Sequence, residues 1–321
     1  MNKKQLALIA LFLFILGSSL VFFNLSHYID NPGNNTKSTT IIIPHGSSVK
    51  KIGKDLAKHN IISYPKVFYL IHKIIFSNIP LHAGEYTFHA HSSMHNIIRI
   101  MNKGMVTVRK LTFPEGTTHK QIIDTIDSNK ALVGETLNEF KEGDFLADTY
   151  HYTYGENRMT LLNRIYHKSQ TTINRLWENR SPNLPFSSKK EAITLASIVE
   201  KETAIASERK RIAGVFINRL RKDMRLQADP TVIYAVTQGQ YTLARKLKKK
   251  DLRMDSPYNT YLYKGLPPSA ISSPGKSALE AVLNPPNTKE LYFVANRKGG
   301  HNFSSSLKEH NNHVKKYRNA K

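Results

Sequence analysis

One carboxyl group in this chain stands where it could do proton chemistry. In EAITLASIVEKETA, residues 191–204, Leu195, Ile198 and Val199 fall on one face of a helix, and the position seven after Leu195, which returns to that face, is Glu202. A carboxyl set into an apolar stripe loses hydration. That raises its pKa and keeps a proton on it near neutral pH, the state a general acid needs. Glu200 lies about 160° further round the helix and reads as a solvated residue, so Glu200→Gln is expected to be tolerated. The competing account of Glu202 is structural: a carboxylate at the edge of the stripe, paired with Arg209, Arg219 or Arg225.

Other chemistries are poorly supported. The chain has no cysteine, which excludes thiolate metal sites, disulfides and cysteine nucleophiles. His89, His91 and His95 in HAHSSMH, and His310 and His313 in HNNH, invite a metal, but no further ligand stands in a defined frame. They read as exposed histidines, and no metal or cofactor is expected. Trp177 lies on a helical apolar stripe and reads as core rather than as a sugar platform.

The elements that must position Glu202 follow from periodicity. Ser188-Lys189-Lys190-Glu191 has the form of a capping box, so a helix is expected from there to about Thr203. Upstream, Leu162, Ile165, Tyr166, Ile173, Leu176 and Trp177 mark a long helix ending before Pro182. Downstream, Ser207 followed by Glu208 reads as the N-cap of a helix to about Leu220, and Leu291 to Ala295 as a short strand.

Nearer the N-terminus, IIIPHGSSVKKIGKDL (41–56) recurs as LTFPEGTTHKQIIDTI (111–126), with a fainter copy in HSSMHNIIRIM (91–101). Each runs through a turn into a hydroxyl pair suited to helix capping, followed by apolar residues spaced three and four apart. This predicts strand, turn and helix units against a small sheet, and a mixed α+β chain overall.

The chain has 321 residues with 47 Lys plus Arg against 24 Asp plus Glu, a formal charge of +23, so an anionic partner is expected. The N-terminus narrows the choice. After Lys3 and Lys4, an apolar run from Leu6 to Phe23 has the length a bilayer requires, and the leading positive charge places the remaining chain on the outer side. A retained anchor is preferred to a cleaved signal peptide because apolarity resumes at Leu20 after Gly17-Ser18-Ser19. The expected organisation is a cytoplasmic stub (1–4), a transmembrane helix (5–24), a polar linker (25–40) and folded structure from Ile41. An outward location disfavours nucleic acid. The block from Ala244 to Arg253 then reads as a solvated basic loop suited to wall polymer or lipid headgroups.

The stretch LASIVEKETAIASERKRIAGVFINRLRKDMRLQADPTVIYAV, 195–236, resembles the signature of the endolytic murein transglycosylases, the YceG-like family. PEG (114–116), YNTY (258–261), GLPPSAISSPG (265–275), LYFVAN (291–296) and GGHNF (299–303) extend the resemblance along most of the chain. It implies a small LysM-like αβ domain at 41–110 and a larger mixed α+β catalytic domain at 111–321, located outside the inner membrane. The implied reaction cleaves the bond between N-acetylmuramic acid and N-acetylglucosamine in nascent glycan strands, leaves 1,6-anhydro ends, and needs no cofactor.

The second Glu of EKET would be the catalytic acid, and it maps to Glu202. Gln227, Asp229, Tyr258, Asn259 and Thr260 stand in family motifs and could bind sugar hydroxyls or N-acetyl groups. If Asp229 faced Glu202, hydrolysis by a carboxylate pair would be open. Two departures from the family pattern are Ala147, where Pro is usual, and Ser269, where Gly is common. Implied partners are peptidoglycan strands, membrane lipid and cell-wall synthases; the alternative is a non-catalytic wall-binding scaffold for those synthases.

Overall fold

The computed structural model describes residues 3–137 and 139–319, with nothing described of the side chains at 3, 7, 10, 21, 22, 25 and 26. Residues 1 and 2 of the basic leading stretch lie outside the described residues. The chain divides into two compact units, Met1–Arg109 with Thr153–Gly155, and Lys110–Tyr152 with Glu156–Lys321.

The first unit opens with α1 (Lys3–Asp30). Large apolar side chains along it stand exposed, Leu8, Phe12, Phe14 and Leu20 among them. Among the described residues, which leave gaps in α1, no helix is long and apolar enough to cross a membrane. Next come β1 (Thr39–Ile43), α2 (Val49–Lys58), α3 (Pro65–Ile75), β2 (Gly84–Phe88) and α4 (Met94–Asn102). β1 and β2 pair antiparallel with Ile41 opposite Tyr86. The three helices bury Leu56, Phe68, Ile71 and Ile97 with Phe88 in one core, which Ile29 at the end of α1 joins.

The second unit contains most of β3 (Val108–Thr112) and of β4 (Thr149–Thr153), with α5 (His119–Asp127), α6 (Arg158–Glu178), α7 (Lys189–Glu202), α8 (Ala206–Arg221), α9 (Asp229–Thr237), α10 (Lys276–Leu283), β5 (Tyr292–Ala295), β6 (His301–Ser304) and α11 (Leu307–Asn319). β3 pairs with β4, and β5 with β6 antiparallel. α7 lies against α8, α9 and α10, so the largest core is helical. The architecture is mixed α and β, as expected from the sequence.

The repeated strand, turn and helix units form three times, as β1–α2, β2–α4 and β3–α5. In each, the second hydroxyl of the pair caps the helix: Ser48 accepts from the Lys51 N–H at 3.3 Å, Ser93 from Asn96 at 3.2 Å, and Thr118 from Gln121 at 3.4 Å. The Pro-x-Gly turns before α2 and α5 place Gly46 and Gly116 at φ 73° and 79°, a left-handed conformation that side chains resist.

α8 departs from expectation. Its N-cap is Ile205, whose apolar side chain has no acceptor to cap with; the helix starts at Ala206, so Ser207 falls inside it, and Thr203 Oγ1 accepts from the Ile205 N–H at 3.0 Å. Trp177 is partly buried against the helical core, with Arg180 over its ring at 4.1 Å.

Phe68 is fully buried, with its ring packed on Gly53. Phe68→Ala should cost about 3–5 kcal/mol, read as a lowered denaturant midpoint for the first unit in the full chain.

Candidate active site

α7 starts as its sequence requires. The Ser188 hydroxyl accepts from the Glu191 N–H at 3.2 Å, and the Glu191 carboxylate accepts from the Ser188 N–H at 2.9 Å, closing the capping box. From Thr194 to Glu200 every residue is buried, so this helix is wrapped on all sides. Its last residue, Glu202, is only partly exposed, and the chain leaves the helix through an extended Thr203.

Burial pushes the Glu202 carboxyl up to about 8; the charge of Asp229 adds to the rise and that of Arg219 opposes it. The Arg219 guanidinium cannot devote itself to Glu202. Its Nε donates to the Leu291 carbonyl at 2.7 Å, one Nη to the Leu226 carbonyl at 2.6 Å, and its plane lies 5.3 Å from the Tyr292 ring. Desolvation lowers the pKa of Arg219 as well. The outcome is a carboxyl group that keeps its proton at neutral pH.

Asp229 opens α9 and is exposed. It accepts from the Tyr261 hydroxyl at 2.6 Å, and Tyr261, held up by burial and by that carboxylate, stays a donor. Glu202, Asp229, Arg219 and Tyr261 thus form one electrostatic group. Tyr261 was not among the residues singled out beforehand, although it closes the YNTY motif.

The remaining expected site residues divide. Gln227 is exposed in a left-handed turn at φ 50°, with its N–H donating to the Thr260 carbonyl at 3.1 Å. Asn259 and Thr260 are buried, and their hydrogen bonds are spent inside the fold. Asn259 donates to the carbonyls of Leu252 and Met254 at 3.2 and 2.8 Å, and Thr260 Oγ1 accepts from the Ala228 N–H at 3.0 Å. They hold the loop that presents Gln227 and Tyr261. Tyr258 packs at a tilt against Tyr234 with ring centres 4.8 Å apart and meets Ser269 Oγ at 2.7 Å. Ser269, where the family commonly has Gly, therefore has a defined partner. Ala147, where Pro is usual, donates its N–H to the Pro274 carbonyl at 3.0 Å, a bond proline could not make.

Glu200 corrects the sequence reading. It is buried rather than solvated: one oxygen accepts from Arg209 at 3.1 Å and the other from the Gly275 N–H at 2.9 Å. Arg209 also donates to Glu115 of the PEG turn at 3.1 Å and to Ser277. Burial raises the Glu200 pKa, the Gly275 N–H and Arg209 hold it down, and Glu115 raises it again. A helical wheel sees one packed face, whereas here the start of α10 and the preceding loop cover the opposite one.

A second partly buried carboxyl, Glu142, had no periodic signal. Burial lifts it to about 7, against hydrogen bonds from the His119 N–H and Tyr234 and the charge of Lys201. A cavity of about 700 Å³ lies on the Glu115 side, lined by Pro114, Glu115, Asp148, Lys168 and Arg175; Glu202 is not in its wall. Among the described residues no group of three His, Asp or Glu side chains is placed to hold a metal ion.

A sequence profile of the YceG-like family matches residues 41–316, and the chain belongs to that family. It is 30% identical to an endolytic murein transglycosylase of Bacillus subtilis, over 89% of this chain and 87% of the relative. It is also 30% identical to an endolytic murein transglycosylase of Streptococcus pneumoniae R6, over 94% of this chain but 63% of that longer protein. A crystal structure of a yceG-like protein from Listeria monocytogenes superposes with a TM-score of 0.54 at 31% identity, covering 86% of this chain and 98% of the other.

Removing the Glu200 carboxylate leaves the buried Arg209 with Ser277 and, of its two carboxylate partners, the half-exposed Glu115. Glu200→Ala should destabilise the second unit by about 3–5 kcal/mol, and Glu200→Gln by less, as measured by chemical denaturation.

Proposed function

We propose that the chain is an endolytic peptidoglycan lytic transglycosylase with Glu202 as its single acid and base. The observation that carries this is the placing of the Glu202 carboxyl at the end of the buried helix α7, where burial and Asp229 raise its pKa against Arg219, within the segment that resembles the family signature. The names of the relatives supply the substrate, a murein glycan strand.

Glu202 gives its proton to the glycosidic oxygen between N-acetylmuramic acid and N-acetylglucosamine as that bond breaks. The resulting carboxylate then takes the proton of the muramic C6 hydroxyl as its oxygen bonds to the anomeric carbon, closing a 1,6-anhydro ring. The nucleophile belongs to the substrate, so closure is effectively unimolecular and no activated water is needed. As the Glu202 carboxylate forms, Arg219 favours it and Asp229 opposes it, so the proton is returned readily. Gln227 and Tyr261, at the exposed edge of this group, are the contacts proposed for sugar hydroxyls.

Around this centre we place a single-pass anchor in α1, with the rest of the chain outside the inner membrane. Its support is 28 helical residues, about 42 Å at 1.5 Å per residue, with large apolar side chains exposed along it. A LysM-like domain at 41–110, ahead of a catalytic domain at 111–321, is supported by the order β1, α2, α3, β2 with its two strands antiparallel. Cleavage within nascent strands would end glycan elongation, next to cell-wall synthases.

A second chemistry is favoured by one observation. Because Asp229 acts on Glu202, a carboxylate pair could activate water and leave a reducing end. Mass spectrometry of products from purified glycan strands separates the outcomes: anhydro ends are one water lighter than reducing ends, and a wall-binding scaffold makes no new ends.

Glu202→Gln should abolish anhydro-end formation while glycan binding persists; wild-type rates from that variant would overturn the assignment. Since the acid must be protonated, kcat/KM should hold at neutral pH and fall about tenfold per unit above pH about 8. Stability gives an independent check. A carboxyl raised in the folded state binds its proton more tightly than in the unfolded chain. Its contribution is complete below about 4.5 and is lost as pH rises through about 8. Glu202→Gln should flatten that decline in the denaturant midpoint.

A further inference from the structure

Among the described residues, α3 exposes apolar side chains that no other element covers. Leu70 is 52%, Ile74 65% and Ile75 43% exposed, flanked by Tyr64 and Tyr69 at 59% and 39%. The opposite face, Phe68 and Ile71, is spent on the core of the first unit. At 100° per residue, Lys66, Tyr69, Leu70, Lys73 and Ile74 share the outward side.

Both ends of this helix are tied to the end of α1. Before its first residue, Tyr64 packs on Tyr28 with ring centres 6.4 Å apart, and Ser63 accepts from Asn34 at 2.6 Å. After its last, Phe76 packs on His95 at 6.2 Å, and His95 meets Asp30 at 2.9 Å. Eleven residues span about 16 Å, and these contacts at its two ends hold α3 close to the exit of α1. The charge is one-sided as well: no acidic residue occurs between Asp55 and Glu85, whereas Lys58, Lys66 and Lys73 do.

From this juxtaposition we infer that the outward face of α3 rests in the headgroup layer of an anionic bilayer. Leu70 and Ile74 enter the acyl boundary, Tyr64 and Tyr69 sit at the polar interface, and Lys66 and Lys73 reach lipid phosphates. The first unit is then held flat at the membrane surface by two contacts, α1 and α3, instead of swinging on one. This rests on the α1 anchor proposed above.

The absence of cysteine gives a direct test, because a single introduced thiol carries the label without background. Full-length Leu13→Cys, Ile74→Cys and Tyr241→Cys chains are labelled with bimane and reconstituted in nanodiscs of phosphatidylglycerol and phosphatidylethanolamine, some lipids bearing a nitroxide near the headgroup end of the acyl chain and others one at its middle, the depth of Leu13. Quenching is expected at Leu13 and Ile74 but not at Tyr241. Replacing both lipids with phosphatidylcholine should reduce quenching at Ile74 at least about twofold and leave Leu13 unchanged. Quenching at Leu13 with none at Ile74 overturns the α3 contact and leaves the anchor standing. No quenching at either overturns both.

Discussion

The pairing of Arg209 with Glu200 is the constraint on which the surroundings of α7 depend. One guanidinium, buried beside α7, joins that helix to the PEG turn through Glu115 and to the start of α10 through Ser277, while Glu200 itself holds the Gly275 N–H. A charge buried this deeply is tolerable only with its partners in place, so the pieces that supply them are fixed together. Two residues further on, the helix stops and Glu202 meets the surface. The difference between the two glutamates is therefore one of company. Glu200 has a cation and an amide donor within hydrogen-bonding distance, whereas Glu202 has burial, the charge of Asp229 and an Arg219 largely committed to carbonyl groups.

The edge of the candidate site shows a related division of labour. Asn259 and Thr260 carry the polar atoms most tempting to assign to a sugar, yet they bond to backbone groups and to Thr231. Their effect is to hold Gln227 in a left-handed turn and Tyr261 on Asp229, leaving more exposed groups at the rim. Polar residues in a shared motif can serve a site by building its frame.

Much of this was legible in the sequence, for definable reasons. Helix periodicity with a capping box located α7 and singled out Glu202, and the hydroxyl pair, preceded by a Pro-x-Gly turn at two of the three sites, located α2, α4 and α5, because these signals act within a few residues. The environment of Glu200 was not legible. It depends on Arg209, Gly275 and Glu115, between 9 and 85 positions away, which only the folded chain brings together. Glu142 and Tyr261 escaped for the same reason, and α3 because its apolar residues surround the helix instead of forming one stripe. The YceG-like resemblance, by contrast, was carried by long ordered motifs and agrees with the profile match over residues 41–316.

The bond from Ala147 to the Pro274 carbonyl links the segment before β4 to the loop that feeds Gly275 to Glu200. Proline at 147 would stiffen its own turn but give up that bond, leaving the 272–275 loop to be secured by other means. The two solutions exchange local rigidity for a long-range tie. Residue 147 and the residues of that loop should consequently covary among relatives, with substitutions at one end tolerated only in sequences that have adjusted the other.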